Sequence, residues 1–226
     1  MKAIWENNWF MIPVSLFLGL GIALVLMVPY GDEIIFFNGY RQEPFNSIFK
    51  FISWCGETWI WILVGLAALF WRYRFTLLIA ITGLIIPLVF IVKDKVGTDR
   101  PITHLRSIGR INDVVTVPGV ELNAGQTSFP SGHTMSAFGL FSLLALMAGR
   151  QSRKRALFLA VLAISVGFSR IFLVQHFLVD VLGGALLGMA VSGFVWWLNE
   201  LDYFQQKSYL DGRLRIKKSS GVSKSA

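Results

Sequence analysis

"SFPSGHTMSAFGLFSLLALMA", Ser128 to Ala148, changes texture part-way along. From Thr134 onward it is almost wholly apolar and reads as a membrane helix that begins near Ser131 and ends near Ala148. Its head, Pro-Ser-Gly-His, contains nothing that a plain membrane helix needs. Ser131 is a good helix N-cap. Gly132 has no Cβ and allows close approach. The free N–H groups and positive end of a helix favour an anion. The stretch therefore predicts a membrane helix whose first turn receives an anion.

Working outward, the apolar texture recurs. Runs from Trp9 to about Tyr30, Thr76 to Val92, Ala156 to Val174 and Phe177 to Leu198 each approach the length of about 20 residues that spans a bilayer. A further run, "WIWILVGLAALFW" from Trp59 to Trp71, is short and is expected to borrow residues upstream of Thr58. With the Ser131–Ala148 run the count is six, and the expected fold is an all-α, six-span helical bundle over residues 1–200, followed by a basic cytoplasmic tail, 201–226, partly disordered. Composition agrees: 54% of the 226 residues are hydrophobic, 15% are charged against about 25% in ordinary soluble domains, and mean hydropathy is +0.60. The first run is too long for a signal peptide's apolar core, its leading charge is weak and no clear A-x-A site follows, so it reads as a retained span. Between the spans lie a mixed segment, Gly31–Glu57, in which "FNSIFKFISW" suggests an interfacial amphipathic helix, and a polar stretch, Lys93–Phe129.

The net charge of +8 would suit nucleic acid if it formed one patch. It does not. Arg72 and Arg74 fall in one short loop, Arg150, Arg153, Lys154 and Arg155 in another, and Lys207, Arg213, Arg215, Lys217 and Lys218 in the tail. All lie on the side of the termini, which the positive-inside rule assigns to the cytoplasm. Cys55 is the only cysteine, so no intramolecular disulfide forms. No Cys/His cluster has zinc spacing.

The opposite, outer face collects three polar pieces: "KDKVGTDRP" with Lys93 and Arg100, "PSGH" with Ser131, Gly132 and His133, and "SRIFLVQHFLVD" with Arg170, His176 and Asp180. Two guanidinium forks and an ammonium suit a phosphate dianion. His176 and Asp180 are spaced i, i+4 and would share a helix face. A carboxylate bonded to one ring nitrogen leaves the other free to attack. His133 is left to protonate the departing oxygen. The pattern predicts phosphoryl transfer through a phosphohistidine on His176, without a metal or other cofactor.

Lys-x6-Arg-Pro, Pro-Ser-Gly-His and Ser-Arg-x5-His-x3-Asp, in that order, resemble the three signatures of the type 2 phosphatidic acid phosphatase (PAP2) superfamily, and the six-span layout resembles its membrane branch. The resemblance covers roughly Trp9 to Leu198. It implies a metal-independent phosphatase with His176 as nucleophile, Asp180 as its partner and His133 as acid, and phosphate contacts from Lys93, Arg100, Ser131, Gly132 and Arg170. The substrate implied is a phospholipid or polyprenyl phosphate or pyrophosphate in the bilayer. Phosphatidic acid, phosphatidylglycerol phosphate, undecaprenyl pyrophosphate and lipid A phosphate all qualify, and the protein would sit in a bacterial inner membrane with its site facing the periplasm or exterior.

Bland readings compete for single residues. Ser131 could only cap, Asp180 could only neutralise Arg170, and Lys93 and Arg100 could snorkel to headgroups. Asp94, Lys95, Asp99 and His104 read as loop residues, and "GGALLG" at Gly183–Gly188 reads as close helix packing. Competing functions are a sugar-phosphate phosphatase, a phosphotransferase between lipids, an anion-binding channel or transporter, and a vanadate haloperoxidase. The spans argue against the last, whose kin are soluble. A transporter finds no inverted repeat in its favour.

Overall fold

The computed structural model describes residues 7–149 and 152–215, so Arg150, Lys217, Lys218 and the end of the tail lie outside the described residues. All regular structure among the described residues is helical. The main helices are α1 (Asn8–Met27), α2 (Phe45–Trp54), α3 (Thr58–Leu69), α4 (Tyr73–Ile85), α5 (Val89–Val96), α6 (Pro101–Ser107), α7 (Gly132–Ala148), α8 (Arg153–Phe172) and α9 (Leu178–Asn199). Four helical runs are long and apolar enough to cross a membrane: α1, Tyr73–Ser107, α8 and α9. A fifth arises if α2 and α3, bent by 56° at their junction, make one passage. This is an integral membrane protein, and its outer helices carry the signature. Leu26 and Met27 of α1, Leu84 of α4 and Phe158 of α8 are exposed apolar side chains that a water-facing surface would not tolerate in such number.

The stretch that opened the reading forms the centre. Helix α7 has 17 residues, about 26 Å of rise, less than a full hydrocarbon thickness of about 30 Å. It is sheathed by protein: every residue from Thr134 to Leu143 is buried. Helices α8, α9 and α4 pack around it, and α1 packs outside α8 and α9. The tightest seam is α7 on α9. A methyl at Gly184 would strike Ser131 O, and one at Gly188 would overlap Met135 O and Gly139 N. The small-residue pattern is thus helix packing, as its spacing implies.

The run from Trp59 to Trp71 gains its upstream residues across a bend. The chain breaks at Cys55–Glu57, and "FNSIFKFISW" becomes α2, which packs against α8 and leaves Phe45, Ile48, Phe51 and Trp54 exposed. The stack of Phe49 on Phe172 fixes that packing. The tail is also no separate appendage where it is described. Arg74 is buried and donates to both carboxylate oxygens of Asp211 and to the carbonyl of Phe204. Its guanidinium holds the Asp211 carboxyl below the usual carboxylate range. Leu214 N–H adds a bond to Leu69 O. Arg74 therefore contributes an anchor for the chain after α9, beyond its share of the charge bias.

Candidate active site

Local chemistry at five helix ends assembles the site. Helix α5 stops because Gly97 adopts the left-handed conformation, φ 61°, and returns its N–H to Lys93 O. That leaves Lys93 on the last turn, aimed inward. It is buried, and its Nζ donates to Thr127 O at 2.8 Å and Ser128 O at 3.2 Å. Lys93 therefore does not snorkel to a headgroup. Arg100 precedes α6, where Pro101 supplies a first-turn residue without an N–H to satisfy. Its guanidinium reaches Thr127 Oγ1 and Gln175 O, each at 3.4 Å.

At the start of α7, Ser131 caps the helix. Its Oγ accepts from Thr134 Oγ1 at 2.8 Å and from Thr134 N at 3.4 Å, and its own N–H goes to Asp180 O at 3.0 Å. Its N–H is thus engaged within the protein, while its hydroxyl keeps a hydrogen to donate. The N–H groups of Gly132 and His133 find no backbone acceptor among the described residues. Gly132 faces Lys93, whose Cε would lie 4.0 Å from a methyl placed there.

The turn between α8 and α9 carries His176. The spacing of His176 and Asp180 suggested one helix, but α9 begins at Leu178 and His176 stands before it. The turn is tight: Gln175 and His176 both give their N–H to Arg170 O, and buried Val174 holds φ 58°, a region that β-branched residues rarely enter. Asp180 sits in the first turn of α9 and accepts the N–H of Phe177 at 2.9 Å and Ser128 Oγ at 2.5 Å on the same oxygen. His176 Nδ1 lies 3.4 Å from that oxygen and 3.5 Å from Ser128 Oγ. Both His176 and Asp180 are almost fully buried. Burial, followed by the charges of Arg170, Arg100 and Lys93, holds the His176 imidazole well below its ordinary range and therefore neutral.

Arg170, in the last turn of α8, is buried. It donates to Ser53 Oγ and, at 3.5 Å, to Gln175 Oε1, while its Nε has no partner among the described residues. No ion pair joins it to Asp180 among the described residues. All eight residues singled out in the sequence thus lie at the same end of the bundle. His104 is elsewhere, edge-on to Tyr30 and Phe177.

Three further residues enter that the motifs do not name. Ser128 holds Asp180. Ser53 holds Arg170. Glu57 Oε1 lies 2.8 Å from His133 Nε2. Ser128 stands two residues ahead of the Pro-Ser-Gly-His piece, and nearness to it is the only signal. Ser53 and Glu57 flank the helix break, and no local pattern announces their partners. From His133 and Gly132 an apolar groove of about 610 Å³ descends between α3 and α4, lined by Trp61, Ile62, Leu66 and Ile79.

The PAP2 superfamily model matches residues 71–203, more than half of the chain. The chain belongs to this family. It is 29% identical to phosphatidylglycerophosphatase B of Bacillus subtilis over 216 residues, 86% of this chain and 98% of that one. It is 34% identical to lipid A 1-phosphatase of Porphyromonas gingivalis over 82 residues, 36% of this chain and 18% of the relative. The crystal structure of Aquifex aeolicus LpxE superposes with a TM-score of 0.58 at 19% identity, covering 73% of this chain and 92% of that one, and so shares the fold. The PAP2 match covers the cation, serine and histidine motifs from Lys93 to Asp180 in one continuous stretch. The protein is a phosphatase of this family.

Proposed function

We propose that this PAP2 phosphatase hydrolyses a phosphomonoester or pyrophosphate headgroup of a lipid at the outer leaflet, through a phosphohistidine on His176. The observation that carries the reading is the joining of a cationic head to an apolar groove. Lys93 stands against Gly132, Arg170 and Arg100 face His133, and the groove begins at His133 and runs down between membrane helices. A lipid phosphate needs that combination, with charge for the headgroup and hydrocarbon walls for the tail. The phosphatidylglycerol phosphate and lipid A relatives favour such a substrate, and undecaprenyl pyrophosphate has the same two parts.

The chemistry follows from the site. With Nδ1 facing Asp180 and Ser128, the free nitrogen of neutral His176 is Nε2. Nε2 attacks phosphorus, the N–P bond forms, the ester P–O bond breaks, and His133 gives a proton to the leaving oxygen. Water then attacks the phosphohistidine, His133 takes its proton, and the N–P bond breaks to release phosphate. The three cations and the Gly132 and His133 N–H groups offset the charge on the equatorial oxygens. Asp180 and Ser128 keep the His176 ring in the attacking tautomer. Ser131 caps the helix start and has a hydroxyl hydrogen to offer a phosphate oxygen. Six passages, counting α2–α3 and α7 as spans, would put both termini in the cytoplasm and the site outside, in a bacterial inner membrane.

The test is phosphate release in EDTA from phosphatidic acid, phosphatidylglycerol phosphate, undecaprenyl pyrophosphate and lipid A. Release by the wild type but not by folded His176→Ala supports the reading, and the preferred lipid names the substrate. Loss of all activity in EDTA, restored by a divalent metal, would defeat the mechanism.

A further inference from the structure

Glu57 lies outside all three motifs, on the break between α2 and α3, and its carboxylate meets the ring of His133. We propose that Glu57 is a positioning residue for His133: it holds Nε2–H, so that Nδ1 carries the proton given to the leaving oxygen. The inference rests on the phosphatase reading above.

Three observations support it. The break is built against His133. A methyl at Gly56 would come within 3.0 Å of His133 O and 3.2 Å of its Cβ, so the segment approaches as closely as a glycine permits. The same segment holds a second site residue, since Ser53 Oγ accepts from Arg170. Glu57 and His133 both line the head of the groove, where a leaving oxygen attached to a lipid tail would stand. The charges that face His133 are Glu57 from the break, Arg170 from α8 and Arg100 from the loop before α6. Glu57 is the carboxylate in hydrogen-bonding contact with the ring.

The proton balance is simple. Before the step His133 is an imidazolium with protons on both nitrogens. As the P–O bond breaks, the leaving oxygen takes the Nδ1 proton, while Glu57 retains Nε2–H. In the second step the attacking water returns a proton to Nδ1.

The experiment compares the wild type with Glu57→Gln, Glu57→Asp and His176→Ala in detergent, on dioleoyl phosphatidic acid and on p-nitrophenyl phosphate. Glu57→Gln should lower kcat on the lipid about 10- to 100-fold, with KM little changed. It should move the alkaline limb of the pH profile about one unit lower. On p-nitrophenyl phosphate, whose leaving group needs no proton, the loss should shrink to about threefold or less. Glu57→Asp should recover part of the activity on the lipid. Equal losses on both substrates with an unmoved limb, or no loss on either, would overturn the proposal. Nitrogen NMR of the ring adds a readout independent of turnover, and it is tractable because the chain has only three histidines. The neutral His133 ring should carry its proton on Nε2 in the wild type. A proton on Nδ1 instead would overturn the pairing. A wild type silent on p-nitrophenyl phosphate and on all four lipids named above would sink the phosphatase reading, and the ring spectrum would still judge Glu57.

Discussion

The site contains two histidine–carboxylate pairs built on opposite plans. In His176–Asp180 the side chains are 2% and 1% exposed and 3.4 Å apart, and the shared carboxylate oxygen is also held by Ser128 and the Phe177 N–H. In His133–Glu57 they are 29% and 43% exposed and 2.8 Å apart. The buried pair is constrained from several sides, whereas the open pair is one bond at the mouth of a groove. The difference suits the tasks proposed for them. A nucleophile must stay neutral in a fixed orientation, and burial among cations achieves that. An acid must meet its leaving group and then water, so it has to stand where both can reach it.

The comparison can be broken most directly at Asp180. Asp180→Asn should lower kcat by about 10³- to 10⁴-fold, since the amide can impose the wrong tautomer on His176. Single-turnover phosphate release measures this, and a loss no larger than that of Glu57→Gln would erase the distinction. Next is Ser128→Ala, expected to cost about tenfold or somewhat more by loosening Asp180. The same variant should also lose about 1–3 kcal/mol of stability, because it removes a donor from a buried carboxylate. Glu57→Gln, at a partly exposed position, should stay within about 0.5 kcal/mol of the wild type in the same thermal melt. The smallest effect is on pH. Because the folded site holds His176 below its usual value, the nucleophile stays neutral as pH falls through 6.5. The acid limb of kcat/KM should therefore lie below pH 6.5, and a limb at or above it would show the buried pair to be no better shielded than the open one.

Much of this was legible in the chain. The helices α1, α7, α8 and α9 end within a few residues of the expected apolar runs, because hydrocarbon length is a strong constraint and reads directly as composition. All eight motif residues gather at one end because motif spacing survives folding. What stayed hidden was tertiary. Arg74 looked like one more basic loop residue until its partners in the tail were seen. The N–H of Ser131 is committed to Asp180 O on another helix, a contact its own motif does not announce. Glu57 and Ser53 lie beside the break at Gly56, and no pattern in the chain pairs them with His133 and Arg170.

The groove below His133 opens sideways, with exposed Ile62, Leu66, Leu84 and Phe90 along its walls. A substrate that enters there arrives by two-dimensional diffusion within the leaflet, and its bulk concentration ceases to be the relevant variable. Its availability is a mole fraction. Diluting the lipid with inert detergent at constant total amount should slow the enzyme as an inhibitor would, although nothing has bound the site.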